Sequence, residues 1–205
     1  IFYSDYYPRD GKGAGAWCGR FRPQSYDGAM RVQPIVTNVC NMTLPTEEGG
    51  PALQTVDNVL TMFHEFGHAL HSFFRDVQYE GTGGVERDFV ELPSQINEHW
   101  AFEPEVLRQY ARHYRTGEVI PQELVEKIDA SSKYGQGFAT VEYLAASYVD
   151  LDLHYLTEMP KKLDVMKFQA EKMRKRGMPS QILPRYSVTN FSHTMGGGYS
   201  AGYYS

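Results

Sequence analysis

The chain has 205 residues, of which 41% are hydrophobic and 22% charged, so it can bury one globular core and is not intrinsically disordered. Its formal net charge is −5, and its basic residues are scattered among carboxylates, which excludes a broad basic surface for nucleic acid. Its apolar runs are only a few residues long, far below the ~18 that a membrane-spanning helix needs, so the sequence predicts no membrane span.

The first predicted region covers residues 1–50 and is rich in glycine, proline and aromatic residues. Runs that favour β-structure occur at 16–18, 31–32 and 35–39, and turn-forming residues separate them. We therefore predict short strands and loops here. The first run follows small residues, and its Ala16 is a candidate for pairing with an extended peptide by strand addition.

Two cysteines, Cys18 and Cys40, lie in this region and form neither a CxxC pair nor an even series of spacings. They predict free thiols in a reducing compartment, which favours the cytoplasm. The chain begins at Ile1 and ends at Ser205 in apolar and aromatic sequence, whereas native termini are usually polar, so we expect a fragment truncated at both ends. Because the true N-terminus is then out of view, a signal peptide and a periplasmic location stay open.

A long helix is predicted after the turn at 48–51. Apolar residues recur at helical spacing from Val56 to Leu70, which indicates about five turns ending near Arg75.

A second helical pattern follows a glycine-rich loop at 81–84. Its apolar face is predicted from four residues at helical spacing: Phe89, Leu92, Ile96 and Trp100. Proline inside a helix loses one backbone hydrogen bond, so we expect this helix to begin just before Glu91 or to be kinked at Pro93.

Four further helices are predicted in the second half of the chain, over 104–115, 121–133, 138–157 and 161–176. The fold class is therefore mainly α, with a small N-terminal part of strands and loops.

The long helix contains the motif HExxH, as His64-Glu65-Phe66-Gly67-His68. Residues i and i+4 of a helix share one face, so both imidazoles can point at one metal ion. The glutamate at i+1 stands beside that ion, where its carboxylate can take a proton from a metal-bound water. The motif therefore predicts a zinc-dependent hydrolase.

The third metal ligand is not settled by the motif. The metzincin class requires glycine at position 71 and histidine at position 74, and it is excluded because the chain has His71 and Phe74. A glutamate from the next helix is the other common ligand, and it leaves one position open for water. The first candidates are Glu86, Glu91 and Glu98, and the second-ranked candidates are Asp88 and His99. Glu91 adjoins the predicted apolar face near the start of the helix, whereas Glu86 and Glu98 are expected to face solvent.

Three separated strings closely resemble the thimet oligopeptidase family of zinc metallopeptidases: FHEFGHALH at 63–71, ERDFVELPSQINEHW at 86–100 and FSHTMGGGYSAGYYS at 191–205. The middle string is most similar to the peptidyl-dipeptidase Dcp branch. The resemblance implies a helical catalytic core of the gluzincin type, in which the HExxH helix lies beside a helix that supplies a glutamate.

This resemblance implies one catalytic-core fragment over 1–205. We expect strands and loops at 1–50, a helical zinc-binding region at 55–177, and a substrate loop rich in glycine and tyrosine at 178–205. The remainder of a longer chain would complete the protein, which is expected to be a monomer.

The resemblance also implies the roles of the metal-site residues. His64, His68 and the glutamate of the DFVE string, Glu91, are expected to hold one Zn²⁺ per chain, and Glu65 is expected to be the catalytic base.

The glycine-rich string at 191–205 resembles a mobile loop that closes over the substrate. Its Tyr199 is our first candidate, and its His193 our second, for donating a hydrogen bond to the oxyanion of the reaction. Further substrate contacts are expected at Gly197, Gly198 and Tyr203. Glycines resist backbone rotation least, which suits a closing loop.

The leading functional hypothesis is a zinc peptidase that releases dipeptides from the free C-terminus of short peptides. An endo-acting oligopeptidase of the same family is one alternative, because only recognition of the terminal carboxylate separates the two activities. An inactive zinc-binding fragment is the alternative from another class. Nucleic acid and membranes are not expected as partners.

Overall fold

The computed structural model describes residues 1–158 and 160–205. They divide into two compact units, Ile1–Ile120 and Pro121–Ser205. The chain is mainly α-helical with a small β part, which confirms the predicted fold class. The assignment of residues 1–205 to a single catalytic core stays a prediction.

The strands of the first unit form a three-stranded sheet and a hairpin. They are β1 (Phe2–Asp5), β2 (Trp17–Arg22), β3 (Ser25–Asp27), β4 (Met30–Val32) and β5 (Ile35–Val39). β5 is the central strand, with β1 parallel on one side and β2 antiparallel on the other, while β3 and β4 pair only with each other. β1 was not predicted, because its hydrogen bonds come from a strand more than 30 residues away: the N–H of Val36 donates to the carbonyl of Ile1 at 2.9 Å.

Two side chains hold the loop between β1 and β2 by donating hydrogen bonds to backbone carbonyls. The nearly buried ammonium of Lys12 donates to the carbonyls of Asp5, Tyr7 and Cys40. Asn41 donates to the carbonyls of two loop glycines at 2.7 and 2.9 Å. These bonds fix the chain just before β2. Ala16 is the residue that directly precedes this edge strand.

The long helix α1 (Val56–Phe74) packs on this sheet. It begins where predicted, because the Thr55 hydroxyl accepts a hydrogen bond from the N–H of Asn58 at 3.2 Å and so caps the first turn. Ala69 of α1 and Val36 of β5 are both fully buried. Contacts between α1 and β5 thus place the HExxH helix against the central strand of the sheet.

The helix α2 (Leu92–His99) begins directly after Glu91 and contains Pro93 as its second residue. A proline in the first helical turn has no intrahelical acceptor to lose, so it is tolerated there. Of the two predicted outcomes, a helix that begins near Glu91 and a helix kinked at Pro93, the structure shows the first.

The helix α3 (Pro104–Tyr110) is shorter than predicted. The expected continuation to residue 115 is wrong, because residues after Tyr110 turn back on themselves. The N–H of Ile120 donates to the carbonyl of Ala111 at 2.9 Å, and Gly117 occupies the left-handed region at φ 72°. This backbone pairing replaces the last helical turn.

The second unit contains α4 (Gln122–Ser132), α5 (Gln136–His154), α6 (Val165–Lys175) and the short α7 (Ser192–Met195). The first three confirm the predicted helices to within a few residues. α5 and α6 share a core that contains Ala145 and Val149 of α5 and Met173 of α6. Among the described residues, no helix is both long enough and apolar enough to span a bilayer.

Candidate metal centre

The two HExxH histidines and one glutamate converge on a single point. The Nε2 atoms of His64 and His68 each lie 3.1 Å from the same oxygen, Oε2 of Glu91. One ligand atom from each of the three residues lies within 4.8 Å of the others. The structure therefore brings together the three residues that the sequence proposed as metal ligands.

This donor set fits zinc. Two imidazole nitrogens and one carboxylate oxygen are the protein ligands of many catalytic zinc sites, which keep a further position for water or substrate. The side chain of Glu65 is only 5% exposed, and its Oε2 has no hydrogen-bond partner among the residues described here. A buried carboxylate oxygen without a partner is costly, so this site is suited to a cationic group or to a proton.

The electrostatics of Glu65 follow from its position. Burial raises the pKa of its carboxyl, the imidazoles of His64 and His68 lower it, and the carboxylate of Glu91 raises it further. A glutamate whose pKa is raised accepts a proton more readily than an exposed glutamate does.

Glu91 is held in place by the first turn of α2. The hydroxyl of Ser94, which is fully buried, donates to Oε2 of Glu91 at 2.9 Å and also lies 2.7 Å from its backbone carbonyl. A ligand carboxylate that is already oriented loses less side-chain freedom when a metal binds.

The structure places Glu91 beside the histidines, but the apolar face used to favour it in the sequence does not lie where that reasoning requires. The predicted apolar face of α2 is the exposed one: Phe89, Leu92, Ile96 and Trp100 are 49%, 46%, 51% and 54% exposed. The face that contacts α1 is polar instead, and the amide of Asn97 donates to the carbonyl of Phe63 at 2.6 Å. Glu91 therefore lies on the hydrogen-bonded side of α2.

Gly67 of the HExxH motif allows α1 and α2 to approach this closely. A Cβ on Gly67 would lie 2.6 Å from the carbonyl oxygen of Pro93 and from Cα of Ser94, and 2.9 Å from Cβ of Asn97. Two of these neighbours are backbone atoms, so they cannot move aside by a rotamer change. The absence of a side chain at Gly67 thus places Glu91 opposite the histidines.

Glu98 was one of the candidate third ligands, and sequence reasoning missed its contact with His64. It was expected to face solvent, but its Oε1 lies 2.6 Å from Nδ1 of His64. A carboxylate on the second ring nitrogen orients a metal-binding imidazole and increases its basicity. The signal was present in the sequence, because Glu98 follows Glu91 by seven residues and therefore lies on the same face of α2.

The two glutamates determine the protonation of His64 in the metal-free protein. Burial lowers the pKa of this imidazole, but the hydrogen bonds to Glu91 and Glu98 outweigh burial and raise it to about 10. His64 is then protonated at neutral pH, so a metal ion has to displace a proton when it binds, and binding weakens as the pH falls.

Replacing Glu98 tests its contribution. We expect Glu98→Gln to weaken zinc binding roughly 10- to 100-fold, because the amide no longer provides a charged acceptor for His64. Competition with a chromophoric chelator measures the affinity. Glu86→Gln is the matched control, since it removes the same charge from an exposed glutamate of the same region. An unchanged affinity in Glu98→Gln would contradict the assigned contribution.

The predicted substrate-loop residues lie in the second unit, within a cluster of aromatic rings. The ring centroid of His193 lies 4.7 Å from that of Tyr186 and 5.6 Å from that of Tyr203. The ring centroid of Tyr199 lies 6.4 Å from that of His193. Phe191 completes the cluster and is almost fully buried. The structure thus brings His193, Tyr199 and Tyr203 together.

The backbone around the glycine run forms a tight turn. The N–H of Tyr199 donates to the carbonyl of His193 at 3.0 Å, and Gly198 has φ 86°. A Cβ on Gly197 would lie 2.9 Å from that same carbonyl.

Burial raises the pKa of the Tyr203 phenol to about 12, which keeps it a hydrogen-bond donor over the physiological range.

The chain is similar to known proteins over its whole length. The sequence profile described as peptidase family M3 matches residues 1–205. The chain is 43% identical to dipeptidyl carboxypeptidase of Escherichia coli, 38% identical to oligopeptidase A of the same bacterium and 30% identical to saccharolysin of Saccharomyces cerevisiae. The alignments cover 98–100% of this chain but only 29–30% of those relatives. The chain thus spans about 30% of the length of the curated relatives it matches.

Proposed function

Because this chain belongs to peptidase family M3, we propose that it hydrolyses peptide bonds with one Zn²⁺ held by His64, His68 and Glu91. The observation that carries this proposal is the convergence of both imidazole Nε2 atoms on one carboxylate oxygen, each at 3.1 Å. A bound Zn²⁺ supplies positive charge that polarises the peptide carbonyl and acidifies water.

Glu65 has the role of general base and then general acid. It follows the first ligand on α1, so its carboxylate lies beside the metal site, and its buried Oε2 is available to receive a proton. The raised pKa of this carboxyl allows it to hold the proton and to pass it to the leaving amine.

Ser94 and Glu98 support the ligands rather than the substrate. Ser94 orients the carboxylate of Glu91, and Glu98 orients the imidazole of His64. Two of the three proposed ligands, Glu91 and His64, are thus oriented before substrate arrives.

His193 and Tyr199 are proposed as the donors that stabilise the developing oxyanion. A single donor of this kind typically contributes about 3 kcal/mol to the stability of the transition state. Gly197, Gly198 and Tyr203 are proposed to form the substrate-facing turn that carries Tyr199, and Ala16 to pair with the substrate backbone at the edge of β2.

The proposed reaction is the release of dipeptides from the free C-terminus of short peptides. It is supported by the 43% identity to a relative named dipeptidyl carboxypeptidase. Endo-acting cleavage is the second candidate, because the chain is also 38% identical to oligopeptidase A. The active protein is proposed to be a monomer that the remainder of a longer chain completes.

A pair of matched peptides tests the proposal. One has a free C-terminal carboxylate and the other is amidated, and mass spectrometry identifies the products at known zinc content. We expect dipeptide release from the free peptide alone. Cleavage of both peptides at internal bonds would favour the endo-acting enzyme. Stoichiometric zinc without turnover would identify an inert zinc-binding fragment and refute the proposed activity.

A further inference from the structure

A buried carboxylate joins α5 to the turn that follows the glycine run. Asp150 is 0% exposed. Its Oδ1 accepts a hydrogen bond from the N–H of Ala201 at 2.9 Å, and its Oδ2 accepts one from the N–H of Tyr203 at 3.1 Å. Both oxygens of one charged side chain are thus committed to the backbone of a single short segment.

Helix α5 supplies further contacts to the same segment. The hydroxyl of Tyr143 donates to the carbonyl of Tyr203 at 2.7 Å. On the other side, Nδ1 of His154 lies 2.8 Å from Oδ1 of Asp150, so the carboxylate is fixed from its own helix as well. The segment at 199–203 is therefore attached to a rigid helix and not only to its own turn.

The attached turn includes an unfavourable backbone conformation. Ala201 has φ 55°, in the left-handed region that residues other than glycine rarely adopt. Such a conformation persists only where the surroundings determine it. The carboxylate of Asp150 provides that constraint, because a charged acceptor binds the N–H of this residue and of the residue two positions later.

We propose that Asp150 is a positioning residue of the peptidase: it holds the 199–203 turn and thereby orients Tyr199 and Tyr203 against His193. The role in catalysis rests on the proposed function, since it assumes that the tyrosine-bearing turn meets the substrate. The role in holding the turn depends only on the observed hydrogen bonds.

The substitution Asp150→Asn tests this proposal. It preserves the size of the side chain but replaces one acceptor oxygen with an NH₂ group, which opposes the N–H of Ala201 or Tyr203. In the zinc-loaded protein we expect kcat to fall roughly 10²-fold while KM changes little. The reason is that a misplaced hydrogen-bond donor stabilises the transition state less but hardly affects substrate binding. Zinc content should stay stoichiometric.

Hydrogen exchange supplies a readout that does not need activity. Mass spectrometry should show faster exchange within 196–205 of Asp150→Asn, with the exchange of α5 unchanged. Asp152→Asn is the matched control: it removes a carboxylate from the same helix and breaks an ion pair to Arg176, but it does not contact the turn. Its kcat and its exchange within 196–205 should match the wild type.

A rescue experiment separates positioning from a general structural role. Glycine adopts φ 55° without strain, so adding Ala201→Gly to Asp150→Asn should restore a part of kcat. If Asp150→Asn does not fold, an amide-to-ester substitution at Ala201 replaces one of the two N–H donors with oxygen and leaves every side chain in place, and the same losses are expected.

Normal kcat together with normal exchange in Asp150→Asn would overturn the proposal. A fall in kcat without any change of exchange within 196–205 would also overturn it. A wild-type protein without turnover would instead refute the proposed function, and hydrogen exchange alone would then decide whether Asp150 holds the turn.

Discussion

Glu65→Gln is expected to bind zinc as tightly as the wild type while its kcat falls roughly 10³- to 10⁴-fold. The amide has nearly the same shape as the carboxylate but cannot accept a proton at neutral pH. Zinc binding should persist because the convergent ligand atoms belong to His64, His68 and Glu91, and Glu65 is not among them. The loss therefore falls on proton transfer.

Two measurements on the same preparation decide this prediction. Peptide hydrolysis gives kcat, and atomic absorption gives the zinc content per chain. Asp57→Asn is a suitable control, because it removes an exposed carboxylate from the first turn of α1 and should leave both quantities almost unchanged. Substantial activity in Glu65→Gln would remove Glu65 from the role of base, whereas loss of zinc would make it a ligand.

Gly67→Ala is expected to weaken both folding and metal binding, although it adds only one methyl group. The new Cβ would lie 2.6 Å from backbone atoms of α2, so the two helices have to separate. Overpacking of this kind costs about 3 kcal/mol of the free energy of unfolding. Separation also moves Glu91 away from the histidines, so zinc affinity should fall together with stability.

Gly137→Ala is the matched control for Gly67→Ala. Gly137 also lies within a helix, α5, but a Cβ there would meet no atom within 4 Å. Alanine has the higher helix propensity, so this variant should be more stable by about 0.5–1 kcal/mol. Urea unfolding of the apo and zinc-loaded proteins measures both effects. A Gly67→Ala protein of normal stability and normal zinc affinity would disprove the close-approach argument.

The local pattern of the sequence was sufficient for the HExxH helix. Its period of 3.6 residues places the two histidines on one face, and the cap at Thr55 marks the start. The same pattern was not sufficient for α2, whose predicted apolar face is about half exposed. Apolar periodicity identifies a helix face but not its partner, and here the partner of α1 is the face that contains Ser94 and Asn97.

Contacts between residues distant in the chain were the least predictable. β1 depends on a parallel strand more than 30 residues away, and Asp150 holds backbone groups about 50 residues later. Neither contact produces a periodic pattern. Glu98 is an intermediate case, because its spacing from Glu91 was readable, but its partner, His64, belongs to another helix.

The sequence by itself determined which groups are available to the proposed chemistry: two imidazoles and a carboxylate on one helix, and a short set of acidic candidates on or just before the next. Helix geometry imposes that arrangement through bonds between neighbouring residues. Residue spacing left open which carboxylate meets the imidazoles, and the family resemblance implied Glu91. Only the tertiary structure decided that Glu98 contacts the second nitrogen of His64, because that contact depends on the close approach of α1 and α2 at Gly67. The distance between two helices is set by packing, and no single segment of the sequence contains it.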